Sequence, residues 1–238
     1  DVYKRQAWHF QAVHHGLWDY DFPTHPNLLD ITVDGRTIRA LAQVSKQGFT
    51  YEFARVTGDP VWPIEERPVP QESNLPGEVP SLTQPFPTKP PPFAYQGVTI
   101  DDLVDFTPEI RAMAVEAVQD FKLGPLFTPP QRAVEDGQAG TIQRPAIDGG
   151  ANWGGEGVDP ETGILYVPTH MAITTVQLHR VSDPAAHSLY AATNEQHVVG
   201  PRGLPLVKPP YGSITAIDLN TGAHIWRTAV GKGPGRHP

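Results

Sequence analysis

Long helices have little room in this chain, because 27 prolines and 22 glycines punctuate its 238 residues. Proline lacks the amide donor that a helix or central strand needs, and glycine loses the most conformational freedom on ordering. That density favours short strands joined by many turns over a helical bundle. The length suits one large or two ordinary domains with a sizeable core. Lysine and arginine number 18 against 26 aspartates and glutamates, a formal charge of −8. An acidic balance without a basic run argues against nucleic acid or an anionic membrane as partner. Cysteine is absent, so disulfides and thiolate metal sites are excluded. No apolar run reaches the ~18 residues that a membrane-spanning helix needs.

Patterning along the chain predicts β-sheet with one helix. Residues 7–14 read as a strand rich in aromatic and β-branched side chains. Segments 28–33 and 38–44 form a hairpin around Asp34-Gly35, a dipeptide suited to a tight turn. From Gln47 to Ala54 the sheet continues, with Phe49, Tyr51 and Phe53 alternating on one face. Residues 63–98 carry ten prolines and read as a long extended loop of the kind that covers functional sites. A helix is expected over 107–123, with Thr107 as N-cap, Pro108 in the first turn and Gly124-Pro125 as its stop. Strand patterns resume at 164–167, 174–178 and 213–218.

A weak internal repeat runs through these strands. Thr57-Gly58 is followed by Trp62, and Thr221-Gly222 by Trp226 at the same offset, each after an alternating strand. Asp159 to Gly163 repeats the turn without the tryptophan. A strand–turn–strand unit with a docking aromatic is the signature of a β-propeller blade.

The two ends read differently. Back-translated as GAT GTG TAT AAG AGA CAG, Asp1–Gln6 resembles a transposon end used to build sequencing libraries, so residues 1–6 are read as an adaptor scar. Residues 231–238 stop without a terminal element and the chain lacks an initiating Met, so a piece of a longer protein is expected.

The run from Trp8 to Asp21, with Ser45-Lys46-Gln47-Gly48 and Glu66-Arg67-Pro68-Val69-Pro70-Gln71, resembles the pyrroloquinoline quinone (PQQ)-dependent dehydrogenases. Phe127-Thr128-Pro129-Pro130 and Gly149 to Gly155 continue the likeness over essentially all of residues 7–238. Within that family it resembles the branch of membrane-bound glucose dehydrogenase and its alcohol- and polyol-oxidising relatives. The resemblance implies an all-β fold, an eight-bladed propeller of which this chain supplies about three to four blades. It implies oxidation of an aldose, polyol or alcohol in the periplasm, with PQQ and Ca²⁺ (or Mg²⁺ or a lanthanide) as cofactors. Ubiquinone or cytochrome c would be the electron acceptor. It also implies that the segment alone is inactive, because the family's principal metal ligands lie N-terminal to it.

The same resemblance assigns roles. Asp19, after Trp18, matches the catalytic base and stands next to the metal. Lys46, 27 residues on, matches the residue that hydrogen-bonds the quinone oxygens and steadies the charge they gain on reduction. Asn152 matches a cofactor contact of methanol-type relatives, and Trp153 either lines the cofactor cavity or belongs to the core. Asp21 completes an Asp-x-Asp pair that does not choose the metal. His14 and His15 read as structural or channel residues, since neighbours on a strand face opposite ways. Gly16 stands where the family commonly has Asp, while His170, His179, His187 and His197 show no ligand spacing. Two rival readings are a non-catalytic propeller scaffold and a sugar or PQQ sensor.

Overall fold

The computed structural model describes residues 5–134, 139–195 and 200–231. Residues 1–4 of the adaptor reading, His197 and the tail from 232 lie outside the described residues.

The first unit is an antiparallel meander of β1 (Asn27–Val33), β2 (Arg36–Val44) and β3 (Thr50–Ala54). Asp34 and Gly35 join β1 to β2 at φ +50° and +74°, the left-handed pair that a two-residue hairpin turn requires. Along β1 Leu29, Ile31 and Val33 are buried while Asp30 and Thr32 face solvent, the period-2 pattern of a half-buried strand. The Pro-rich stretch holds a hairpin: β4 (Ile64–Pro68) pairs with β5 (Thr83–Pro87), with Glu66 opposite Pro85 and Ile64 opposite Pro87. The expected long extended loop over 63–98 therefore contains a two-stranded ribbon. A two-stranded ribbon has free edges on both sides, so prolines can sit where no ladder amide is needed.

The helix α1 runs Pro108–Ala117, capped by the Thr107 hydroxyl, which accepts from the Ile110 amide. It ends sooner than the expected 107–123. Val118 closes it, and Phe121-Lys122 form β6 instead, pairing in parallel with β8 (Gly140–Gln143). Ile110, Ala114 and Val118 bury the helix against Ile142, Ile173, Leu204 and Val207. β7 (Gln131–Arg132), β9 (Gly157–Asp159), β10 (Ile164–His170), β11 (Thr174–Arg180) and β12 (Tyr190–Glu195) follow. The last two strands are β13 (Gly212–Asp218) and β14 (Ala223–Ala229). They build a four-stranded sheet in the order β14-β13-β10-β9 and another in the order β12-β11-β8-β6, with β7 beside β11.

The meander and the four-stranded sheet share one core, in which Leu29, Ile31 and Val44 meet Leu165, Val167, Ile217 and Leu219. Trp62 sits at their seam, as the repeat predicts. Its indole N–H donates to Glu52 Oε2 at 3.2 Å on the meander side. On the other side its ring lies against Gly222, whose φ is +66°. A Cβ there would stand 3.0 Å from the ring and 2.9 Å from Lys89 Cβ, so the close approach requires glycine. The Lys89 ammonium lies 4.5 Å from the ring centroid, a cation–π contact that closes the joint. Trp8 packs in the same manner on Gly58, whereas Trp226 is 44 % exposed and leans on Tyr166.

Candidate active site

Residues 7–14 belong to no ladder and bend at Ala12 and His14, which corrects the expected strand. Side chains from distant parts of the chain hold this strap instead. The buried Gln84 amide accepts from the His14 N–H at 2.8 Å and donates to the His14 carbonyl at 2.7 Å, imitating one rung of a sheet. His14 also pairs with Glu66 at 2.9 Å, and His15 meets Glu78 at 2.5 Å. Burial of Trp8, Phe10, Trp18 and Tyr20 against Tyr51, Phe53 and Phe127 supplies the apolar part of the grip.

Asp19 sits at the turn of the strap with φ +59°. That left-handed region disfavours most non-glycine residues and is entered by aspartate more readily than by most, and here its neighbours fix it. They do so from both sides. The Trp18 indole donates to the Thr128 carbonyl at 2.7 Å, and its own carbonyl accepts from Gln143 Nε2 at 2.9 Å. Beyond Asp19, the Tyr20 hydroxyl donates to the Pro145 carbonyl at 2.7 Å.

Lys46 lies in the turn between β2 and β3 and joins three loops. Its ammonium stands 3.0 Å from Asp19 Oδ2 and 2.8 Å from Asp21 Oδ1. Its N–H donates to the Asp21 carbonyl at 3.2 Å, and its carbonyl accepts from the Gly150 amide at 2.9 Å. The neighbouring Gly149 has φ +80°, and a Cβ on it would come within 2.4 Å of Lys46 Cγ and 2.7 Å of its Cα. Only a hydrogen fits there. The Lys46 side chain is 10 % exposed, against 67 % for Asp19 and 56 % for Asp21. The cation is therefore recessed, and the two carboxylates are open to whatever enters from solvent. Burial alone pulls the Lys46 pKa down, but the bonds to Asp21 and Asp19 outweigh it and hold it above the ordinary lysine value.

The Gly149–Gly155 loop reaches the same end of the molecule but turns its polar side chain inward. Asn152 Nδ2 donates to the Asp148 carbonyl at 2.8 Å and its Oδ1 accepts from the Trp153 N–H at 2.7 Å. Trp153 is 84 % exposed, which corrects the core alternative for it. A cleft of about 410 Å³ opens between this loop and the ends of β10 and β13, lined in part by Asn152, Thr169, His170 and Ser213. Among the described residues no three His, Cys, Asp or Glu side chains stand close enough together to hold a metal ion. Thus Asp19, Asp21 and Lys46 are brought together, and Asn152 reaches them only through the backbone of its loop.

Sequence reasoning missed the buried glutamines 47, 84 and 143. Each donates an amide hydrogen to a carbonyl of the strap, at Ala12, His14 and Trp18 respectively. The available signal for Gln84 and Gln143 was a glutamine at a buried strand position, where an apolar residue is usual, while Gln47 lies in the turn between β2 and β3.

The β-propeller domain model of the PQQ-dependent glucose, ethanol and alcohol dehydrogenases matches residues 5–238. The chain is 29 % identical over 251 residues to the glycerol dehydrogenase large subunit of Gluconobacter thailandicus, covering 94 % of this chain and 33 % of that one. It is 30 % identical over 252 residues to the quinoprotein glucose dehydrogenase of Escherichia coli, covering 94 % of this chain and 30 % of that enzyme. This chain thus spans about a third of the length of these relatives. In fold it is similar to the quinohemoprotein alcohol dehydrogenase of Comamonas testosteroni, with a TM-score of 0.51 at 16 % identity over 94 % of this chain and 27 % of that one. On the family match, the strand content and this likeness of fold, the chain belongs to the PQQ-dependent dehydrogenase family and forms part of its β-propeller domain.

Proposed function

We propose that this segment carries the general base of an enzyme that oxidises an aldose, polyol or alcohol with PQQ. The observation that carries the reading is the Asp19–Lys46 pair at 3.0 Å, with the carboxylate open and the cation recessed. The glycerol- and glucose-oxidising relatives support a small polyhydroxylated substrate. When bound, PQQ would supply the hydride acceptor. Asp19, exposed and held from behind, would take the proton of the substrate hydroxyl. Lys46 would remain charged and donate to oxygens that gain negative charge during the reaction.

The side chains suit these partners unequally. The Lys46 ammonium suits an anionic quinone, and Asp19 and Asp21 offer the hard oxygens that Ca²⁺, Mg²⁺ or a lanthanide prefers. The Asn152 amide makes two bonds within its own loop and keeps one N–H and one lone pair for a cofactor. A divalent cation would need ligands beyond the described residues. For this reason, and because it spans a third of its relatives, the 238-residue chain alone is expected to be inactive. A periplasmic location and transfer of electrons to ubiquinone or cytochrome c complete the proposal.

The test is to express the full-length gene, load it with PQQ and Ca²⁺, and follow dye-linked oxidation of glycerol, glucose and simple alcohols. Turnover supports the enzyme reading and names the substrate class. Bound PQQ without turnover on any of them points to a sensor, and failure to bind PQQ points to a scaffold.

A further inference from the structure

We propose that Gln143 is a positioning residue for Asp19, a role that rests on the reading of Asp19 as general base. Asp19 occupies the left-handed backbone region, which aspartate enters more readily than most residues but only as a single turn residue, on a strap without a ladder. The peptide before it can rotate unless the Trp18 carbonyl is fixed, and Gln143 Nε2 fixes it at 2.9 Å. Gln143 is itself 6 % exposed and ends β8. The next residue, Arg144, is locked by bonds of 2.7 Å to the Gly97 carbonyl and to Asp102. The one after that, Pro145, receives the Tyr20 hydroxyl at 2.7 Å. Residues 143–145 therefore grip the strap immediately before and immediately after Asp19, from a separate sheet. Lys46 reaches the carboxylate from the opposite partner, the meander. The base is thus aimed by one sheet and charge-paired by another. A displacement of about 1 Å in such a group can cost ~100-fold in rate.

The experiment uses the full-length PQQ-loaded enzyme and three variants, Gln143→Met, Gln143→Glu and Asp19→Asn. Both Gln143 variants keep approximate length and remove the amide donor. Turnover is normalised to PQQ-loaded sites and measured with glucose or glycerol, whichever is oxidised, in protiated and carbon-deuterated form. Gln143→Met is expected to lower kcat per loaded site about 10- to 100-fold, to change KM less than about 3-fold, and to raise the deuterium isotope effect on kcat. A residue needed only for folding would reduce the number of loaded sites and leave their kcat and isotope effect unchanged. That result overturns the proposal, as does failure of both Gln143 variants to load PQQ. Wild-type turnover in Asp19→Asn would instead overturn the base reading beneath it, so the two failures are distinct.

Discussion

The seam between the meander and the four-stranded sheet and the strap that carries Asp19 solve the same problem by opposite means. At the seam, regular ladders meet face to face, and Trp62 on Gly222 fixes their spacing with one apolar contact and one hydrogen bond. In the strap, no ladder exists, and amide side chains 35 to 125 residues away in sequence supply the rungs. The comparison teaches that the propeller's repeated elements hold the shape, whereas the proposed base sits on a segment whose shape is imposed from outside.

Four substitutions bear on this contrast. Lys46→Met has the largest expected effect, a loss of about 10²- to 10³-fold in turnover, with little change in stability because its carboxylate partners are solvated. Steady-state kinetics and thermal unfolding of the full-length enzyme check both halves. Glu52→Gln probes the seam through pH. Burial pushes the Glu52 carboxyl up to about 8, the Trp62 N–H opposes this, and Asp218 adds to it. The folded state therefore keeps this proton where the unfolded chain has already lost it. Its contribution to stability falls as pH rises from about 4.5, and the penalty is complete above about 8. The variant is expected to match the wild type near pH 4.5 and to exceed it above pH 8 by on the order of a few kcal/mol, read by urea titration at both values.

Gln84→Leu comes next, because it strands the N–H and carbonyl of His14. A loss of about 2–3 kcal/mol is expected, together with increased hydrogen exchange confined to the strap. Gly222→Ala completes the series. Its Cβ meets Lys89 and Trp62, so a loss of about 1–2 kcal/mol is expected with kcat per PQQ-loaded site unchanged. Should Gly222→Ala alter kcat and Gln84→Leu leave the strap's exchange untouched, the division between shape and chemistry would be wrong.

Legibility in the sequence follows the same division. Asp34-Gly35 and Thr107-Pro108 act through neighbours in sequence and are found where local chemistry puts them, whereas of the paired Thr-Gly…Trp turns only Trp62 docks at a seam, on the distant Gly222, and Trp226 stays 44 % exposed. The strap's aromatic run looks like a strand because burial selects the same residues, but its hydrogen bonds come from glutamines that no local pattern links to it. Prolines at 68, 85 and 87 hide a ribbon whose open edges tolerate them. The helix stops at Val118 because Phe121 is drawn into parallel pairing beside Gly140, a contact that helical periodicity cannot reveal. Trp153 is not the core residue that one of its two readings makes it, and it stands almost wholly in solvent. Asp19 and Lys46 emerge from the family likeness, and their mutual contact emerges only from the fold.

The most direct test of the account is the rate of a single turnover in PQQ-loaded full-length enzyme carrying Asp19→Asn, compared with wild type. The substitution keeps the size of the side chain and its bond to Lys46 while removing the base. A fall of about 10²- to 10⁴-fold with unchanged PQQ binding is the predicted result. A rate within a few-fold of wild type would contradict it and move the proton acceptor elsewhere.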